Sequence, residues 1–175
     1  MILRRRLLVL PLALSVLSAS LCGCGWEPLY ANNETGAGSA DLRAVQVARI
    51  PERAGQILET GLRNSFNPTH DDTKPRYRLT VTLIKILQDL GIQSQGLGTR
   101  GEVQLVATYS LAEIDSNKVL QTGTVHTSDS FDIQANGYST VVAQDDAAAR
   151  DVEEIRREIV ARLTMFMQHQ QSAPS

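Results

Sequence analysis

Tyr77-Arg78-Leu79-Thr80-Val81-Thr82-Leu83 places an apolar side chain at every second position, with Arg and Thr between them. A period of two predicts a β-strand with one buried and one wet face. Just beyond it, Ile84 and Ile86 flank Lys85, a change of register that predicts a bulge. Downstream, Val103, Leu105, Ala107, Tyr109 and Leu111 repeat the alternation and predict another strand. Asp115-Ser116-Asn117 supplies a tight turn into a strand from Lys118 to about Phe131. Gly91 to Thr99, with glycines at 91, 96 and 98, reads as a flexible link. Upstream, Leu42 to Ile50 alternates through Val45 and Val47 and predicts a first strand. Strands of twelve or more residues would span roughly 40 Å.

Two segments carry the other period. After Pro51, suited to the first helical position, Ala54, Ile57, Leu58, Gly61, Leu62, Ser65 and Phe66 recur at helical spacing and form one apolar or small-residue face. Asn67-Pro68 stops that helix, and a polar loop fills Thr69 to Pro75. Near the C-terminus, after Asn136-Gly137-Tyr138-Ser139-Thr140, the residues Val141, Ala148, Val152, Ile155, Ile159, Leu163 and Phe166 trace a stripe along a helix of about 28 residues. Arg150, Arg156, Arg157 and Arg162 lie on its other faces.

The order is β-α-β-β-β-α. It predicts an α+β fold, a four-stranded, mostly antiparallel sheet with both helices packed on one face. The opposite face is left uncovered, rich in Arg, Thr, Gln and Ser. One domain is expected over residues 41–168, with a disordered tail at 169–175.

The N-terminus reads differently. Met1-Ile2-Leu3-Arg4-Arg5-Arg6 precedes an apolar run from Leu7 to Leu21, interrupted by Pro11. This is the layout of a bacterial secretory leader. A helix of about 15 residues rises only about 22 Å, short of the roughly 30 Å hydrocarbon core of a bilayer. Leu21-Cys22-Gly23-Cys24 resembles a lipobox, with Leu at −3, Gly at −1 and Cys24 as the acylated residue. Cys22 is rejected because it would put bulky Leu21 at −1. Ordinary cleavage near Ala19-Ser20, leaving both cysteines, is the alternative.

The cysteine count agrees with lipidation: residues 1–23 take Cys22 away and lipid caps Cys24, so no thiol remains for an oxidising compartment. Gly25 follows the cysteine in place of the Asp that retains lipoproteins at the inner membrane, which directs the protein to the outer membrane. Residues 24–40 form the lipidated N-terminus and a tether, with small residues over 31–40.

Cleavage leaves 152 of 175 residues and removes three arginines and no acids, so a formal charge of −2 becomes −5. A net-negative body argues against a nucleic-acid partner. The few aromatic residues argue against a large aromatic-lined pocket.

Cys24-Gly25-Trp26-Glu27-Pro28-Leu29-Tyr30 resembles the mature start of the lipopolysaccharide-assembly lipoprotein (LptE) family in its alphaproteobacterial form, Cys-Gly-aromatic-x-Pro-Leu-Tyr. Weaker matches are Arg53-Ala54-Gly55-Gln56, Tyr77-Arg78-Leu79, Thr99-Arg100, and Tyr138-Ser139-Thr140 followed by Asp146-Ala147 and Arg150. The resemblance covers most of residues 24–165. Ser139 stands where Ala is usual, and the tether is longer. The resemblance implies a non-enzymatic plug inside an LptD-like β-barrel, which assists barrel assembly and helps receive lipopolysaccharide for delivery to the outer leaflet. The uncovered polar sheet face suits the interior of such a barrel.

Lipopolysaccharide phosphates would be held by charge-assisted contacts. The candidates are Arg78, Lys85, Arg100 and Lys118, on strands or at strand ends; scattered cations that merely keep a sheet face soluble are the plainer reading. The four arginines of the last helix read as a solvated face or as barrel-wall contacts. Trp26, Pro28 and Tyr30 either pack the tether or sit at the membrane interface. No cofactor or metal is expected.

A hydrolase built on His126, Asp129 and Ser130 is disfavoured, because no Gly-x-Ser-x-Gly elbow is present. A metal at His70-Asp71-Asp72 is disfavoured too, for want of a second histidine at ligand spacing. The closer rival is another outer-membrane lipoprotein, a binding or scaffold module of a different envelope complex.

Overall fold

A computed structural model describes residues 37–92 and 98–172. In chain order the elements are α1 (Ala37–Arg43), β1 (Val45–Val47), α2 (Arg53–Phe66), β2 (Tyr77–Ile92), β3 (Gly98–Glu113), β4 (Val119–Asp132) and α3 (Gly137–Ser172). The sheet order is β1-β2-β3-β4. β1 runs parallel to β2 and the other neighbours are antiparallel. The fold is therefore α+β, with a four-stranded mixed sheet and helices packed on it.

One face of the sheet makes the core. Leu79, Val81, Val103, Leu105, Ala107, Tyr109, Leu111 and Val125 are buried there. They meet Leu58, Leu62 and Phe66 of α2 and the stripe Ala148, Val152, Ile155, Ile159, Leu163 and Met167 of α3. The strand period of two and the helix period of 3.6 each deliver one apolar face to the same interior. Gly61 and Ser65 of the α2 stripe meet an arginine instead: a Cβ on Gly61 would lie 2.7 Å from Arg156 Cδ, and Arg156 Nη1 donates to Ser65 Oγ at 2.6 Å.

Several expectations are corrected. The tether and the first strand overlap a helix, since α1 takes up Ala37–Arg43 with Leu42 buried. β1 shrinks to three residues. After it only Ala48 N reaches Leu79 O, and the chain then turns at Pro51, which has no N–H for a ladder. Pro51 also falls outside the helix, because Glu52 has φ 65° and α2 starts at Arg53. That turn seats Ile50, fully buried, against Gly55 and holds Ile50 N on Glu59 Oε2 at 2.9 Å. Ile57 is exposed rather than buried.

The bulge expected at 84–86 is absent: Ile84, Lys85 and Ile86 pair in unbroken register with Val106, Leu105 and Gln104. The register shifts come later, between Asp89 and Gly91 and between Gly91 and Ile92. Ile84 and Ile86 thus lie on the uncovered face, where no packed helix requires alternation. Of the expected flexible link, Gly91, Ile92, Gly98 and Thr99 are strand residues, and 93–97 lie outside the described residues.

α3 is 36 residues long, about 54 Å. It starts before the expected Val141 because Asn136 caps it, Oδ1 accepting from Tyr138 N at 3.0 Å. It also runs into the tail expected to be disordered. Val141 is exposed and Met167 buried, so the buried stripe lies further along the helix than the sequence indicated. The leader, Cys24 and the Trp26–Tyr30 motif lie outside the described residues.

Candidate functional site

The uncovered sheet face is built by the even-numbered residues of the three long strands. Across it run the rows Thr80–Ser110–Thr122, Thr82–Thr108–Thr124 and Ile84–Val106–His126. Thr108 and Thr124 hydroxyls lie 3.5 Å apart. Hydroxyls dominate because β-branched Thr suits an extended backbone and its Oγ stays hydrated. Ile84 and Ile86 add an apolar strip on the same face.

The four candidate cations do not converge. Arg78 lies on the uncovered face beside Ala112, which pairs in turn with Val119, so Arg78 and the exposed Lys118 share one end of the sheet. Lys118 sits at the β3–β4 turn, where its N–H bonds Ser116 Oγ and Asn117 takes φ 53°. Arg100 is at the other end, about 40 Å away along β3, donating to Ser130 Oγ at 3.0 Å.

Lys85 is on the opposite face, paired with buried Leu105. There it lines a cleft of about 180 Å³ with Arg53 and Ile57 of α2 and Asp145, Asp146 and Val152 of α3. Around the same end of the molecule Leu87, Tyr138, Val141 and Val142 are exposed. This side therefore combines two cations, two carboxylates and apolar surface.

The arginines of α3 are engaged within the fold. Arg150 binds Asp129, Arg156 binds Glu153 and Ser65, and Arg157 binds Glu154. Arg162 binds Glu158 and donates to Thr124 O at 3.1 Å. The hydrogen bond and charge of Arg150 hold the Asp129 carboxyl below its ordinary range.

Missed in the sequence is Asp151, 4% exposed at the α3–sheet interface. The signal was available, as Asp151 follows Ala148 by three residues and precedes Ile155 by four, inside the apolar stripe.

His126, Asp129 and Ser130 do not form a constellation, because Asp129 points to the helix side and the other two to the uncovered face. His70, with φ 54°, keeps its ring Nδ1 3.1 Å from Pro68 O. Among the described residues no group of three or more His, Cys, Asp or Glu is placed to hold a metal.

No family model matches the chain, and no curated protein matches it significantly. Solved structures do. A protein of Caulobacter crescentus CB15 described as a lipoprotein is 16% identical, with 75% of this chain and 96% of that one covered and a TM-score of 0.62. A minor lipoprotein of Acinetobacter baumannii is 15% identical over 70% and 92%, with a TM-score of 0.53. The rare lipoprotein B of Shewanella oneidensis is 10% identical over 73% and 96%, with a TM-score of 0.49. At such identities the likeness is one of fold: the chain shares its architecture with the Caulobacter and Acinetobacter lipoproteins.

Proposed function

We propose that this protein is an outer-membrane lipoprotein of the LptE type, acylated at Cys24, that plugs an LptD-like β-barrel. In this reading it assists the barrel's assembly and helps receive lipopolysaccharide for delivery to the outer leaflet, without catalysis. The observation that carries the proposal is the uncovered sheet face. Three strands of 16, 16 and 14 residues present ranks of hydroxyls rather than a second apolar layer. Such a face matches the polar lumen of a large barrel, where its hydroxyls and the cations at its ends can stay hydrated.

The cleft lined by Lys85 and Arg53, with Ile57 in its wall and Leu87, Val141 and Val142 exposed on the same side of the sheet, supplies the two chemistries of a phosphorylated glycolipid, cations for phosphate and apolar surface for acyl chains. Arg78 and Lys118, far from it, fit barrel contacts better. The lipobox, the Cys-Gly-Trp-x-Pro-Leu-Tyr start and the lipoprotein fold point the same way.

The test is purification of the tagged full-length protein from its own outer membrane in mild detergent, with mass spectrometry of what accompanies it. A stoichiometric large β-barrel is expected. An acylated protein recovered without one would overturn the plug and leave a scaffold in another envelope complex.

A further inference from the structure

Asp151 is an acid in an apolar interface. It is 4% exposed, and its Oδ2 is buried without a hydrogen-bond partner. Facing it on the helix side of β4 is Thr127, whose Oγ1 is likewise buried and lies against the Asp151 carboxyl outside strict hydrogen-bond geometry. Charges bear on it from each neighbouring element: Asp129 on β4 and Glu102 on β3 oppose its ionisation, and Arg150 on α3 favours it. Arg150, however, is committed to Asp129 through its own hydrogen bond.

A carboxylate here faces one hydroxyl and gains little for its lost hydration. The Thr127 hydroxyl can donate to the carboxylate and favours ionisation, but one such bond does not replace the hydration that burial removes, and a neutral carboxyl avoids that cost.

We infer that Asp151 makes the seating of α3 on the sheet proton-dependent: neutral, its carboxyl stays in the apolar interface at little cost; ionised, it must regain hydration and loosens the N-terminal part of α3, Gly137 to Arg150, from the sheet. That segment contributes Asp145 and Asp146 to the cleft lined by Arg53 and Lys85, so access to the cleft follows the same proton. The inference stands independently of the proposed barrel partner.

Burial pushes the Asp151 carboxyl up to about 6 from its ordinary 3.8, outweighing the Thr127 contact. Between these values the folded state binds more protons than the unfolded one, so stability falls as pH rises through the window and levels off above it. Asp129, held down by Arg150, gives the opposite slope at lower pH, which separates the two groups.

The experiment is amide hydrogen exchange of the full-length protein in detergent at pH ~5 and ~7.5, corrected for intrinsic rates, with an NMR titration of the Asp151 carboxyl. Protection over residues 137–150 is expected to drop about tenfold at the higher pH. In Asp151→Asn it should stay high at both. Identical pH dependence in the variant, or a carboxyl titrating near 4, would overturn the inference. Should the variant fail to fold, the wild-type titration decides alone: near 6 supports the inference, near 4 refutes it.

Discussion

Tyr109 is 1% exposed on the core side of β3, and its cross-strand partner on β4 is Gly123. A Cβ on Gly123 would lie 2.6 Å from the Tyr109 ring. Eight residues back along β3, Gly101 leaves room for Phe131 on β4, where a Cβ would come within 2.4 Å of the ring. In both pairs an aromatic ring fills the space that the opposite glycine vacates, so neither glycine marks a turn. Gly123→Val should therefore destabilise the fold by about 1–3 kcal/mol through overpacking. Urea denaturation would check it, with an unchanged midpoint counting against the reading. Ile155→Ala, at a fully buried site shared by helix and sheet, should cost about 2–5 kcal/mol through the cavity it leaves. Neither glycine could be assigned from the sequence, because a Gly–aromatic pair is made across strands whose register the sequence leaves open.

At the level of elements, an arginine from each of two helices binds one carbonyl on an edge strand of the sheet. Arg63 Nη2 of α2 donates to Val47 O on β1 at 3.2 Å, and Arg162 Nη1 of α3 donates to Thr124 O on β4 at 3.1 Å. β4 contains no Lys, Arg or Pro over its 14 residues, so it lacks the usual guards against edge-to-edge pairing. Arg162→Ala should cost about 1–3 kcal/mol of stability, little of it from the partly solvated pair with Glu158 and most from the partner that the buried Tyr109 hydroxyl loses. It should also raise self-association, read by light scattering as a shift to higher mass at equal concentration. A strictly unchanged mass would show that Arg162 is no guard. The elements themselves were largely legible. Leu79, Val81, Val103 to Leu111 at every second position and the stripe from Ala148 to Leu163 emerge buried as expected, with Leu83 partly so. What misled was the short or locally ambiguous sequence: Ala37–Arg43 carries no repeat long enough to reveal a helix, and Ile84 and Ile86 are apolar without being covered.

For the whole molecule, the uncovered face and the cleft lined by Lys85 and Arg53 make separable predictions. Thr108→Lys, at an exposed position on that face, should change stability by less than about 0.5 kcal/mol, yet lower recovery of a barrel partner severalfold in mild-detergent pull-downs. Equal recovery would move the contact elsewhere on the surface. Replacing Lys85 and Arg53 together by Gln should weaken binding of purified lipopolysaccharide about tenfold, as for two charge-assisted contacts, and leave the Arg78→Gln, Lys118→Gln pair as the control that keeps its affinity. The reverse ranking would place the phosphates at the β3–β4 turn.

The sequence by itself determined the order of strands and helices, because periodicity is a local property and each element must turn one apolar face inward. It likewise determined the candidate acylation site, because a lipobox is read along the chain. The convergence of residues was decided only by the tertiary structure. Lys85 and Arg100 lie on opposite faces of the sheet although both were candidates for one ligand, since an even or odd place in the strand chooses the side. Asp151 meets Thr127 and Arg150 meets Asp129 because α3 crosses β4 at that point, a distance of 21 residues or more along the chain. Burial, the arginine contacts to the edge strands and the Gly–aromatic pairs depend on that packing, and no local pattern carries it.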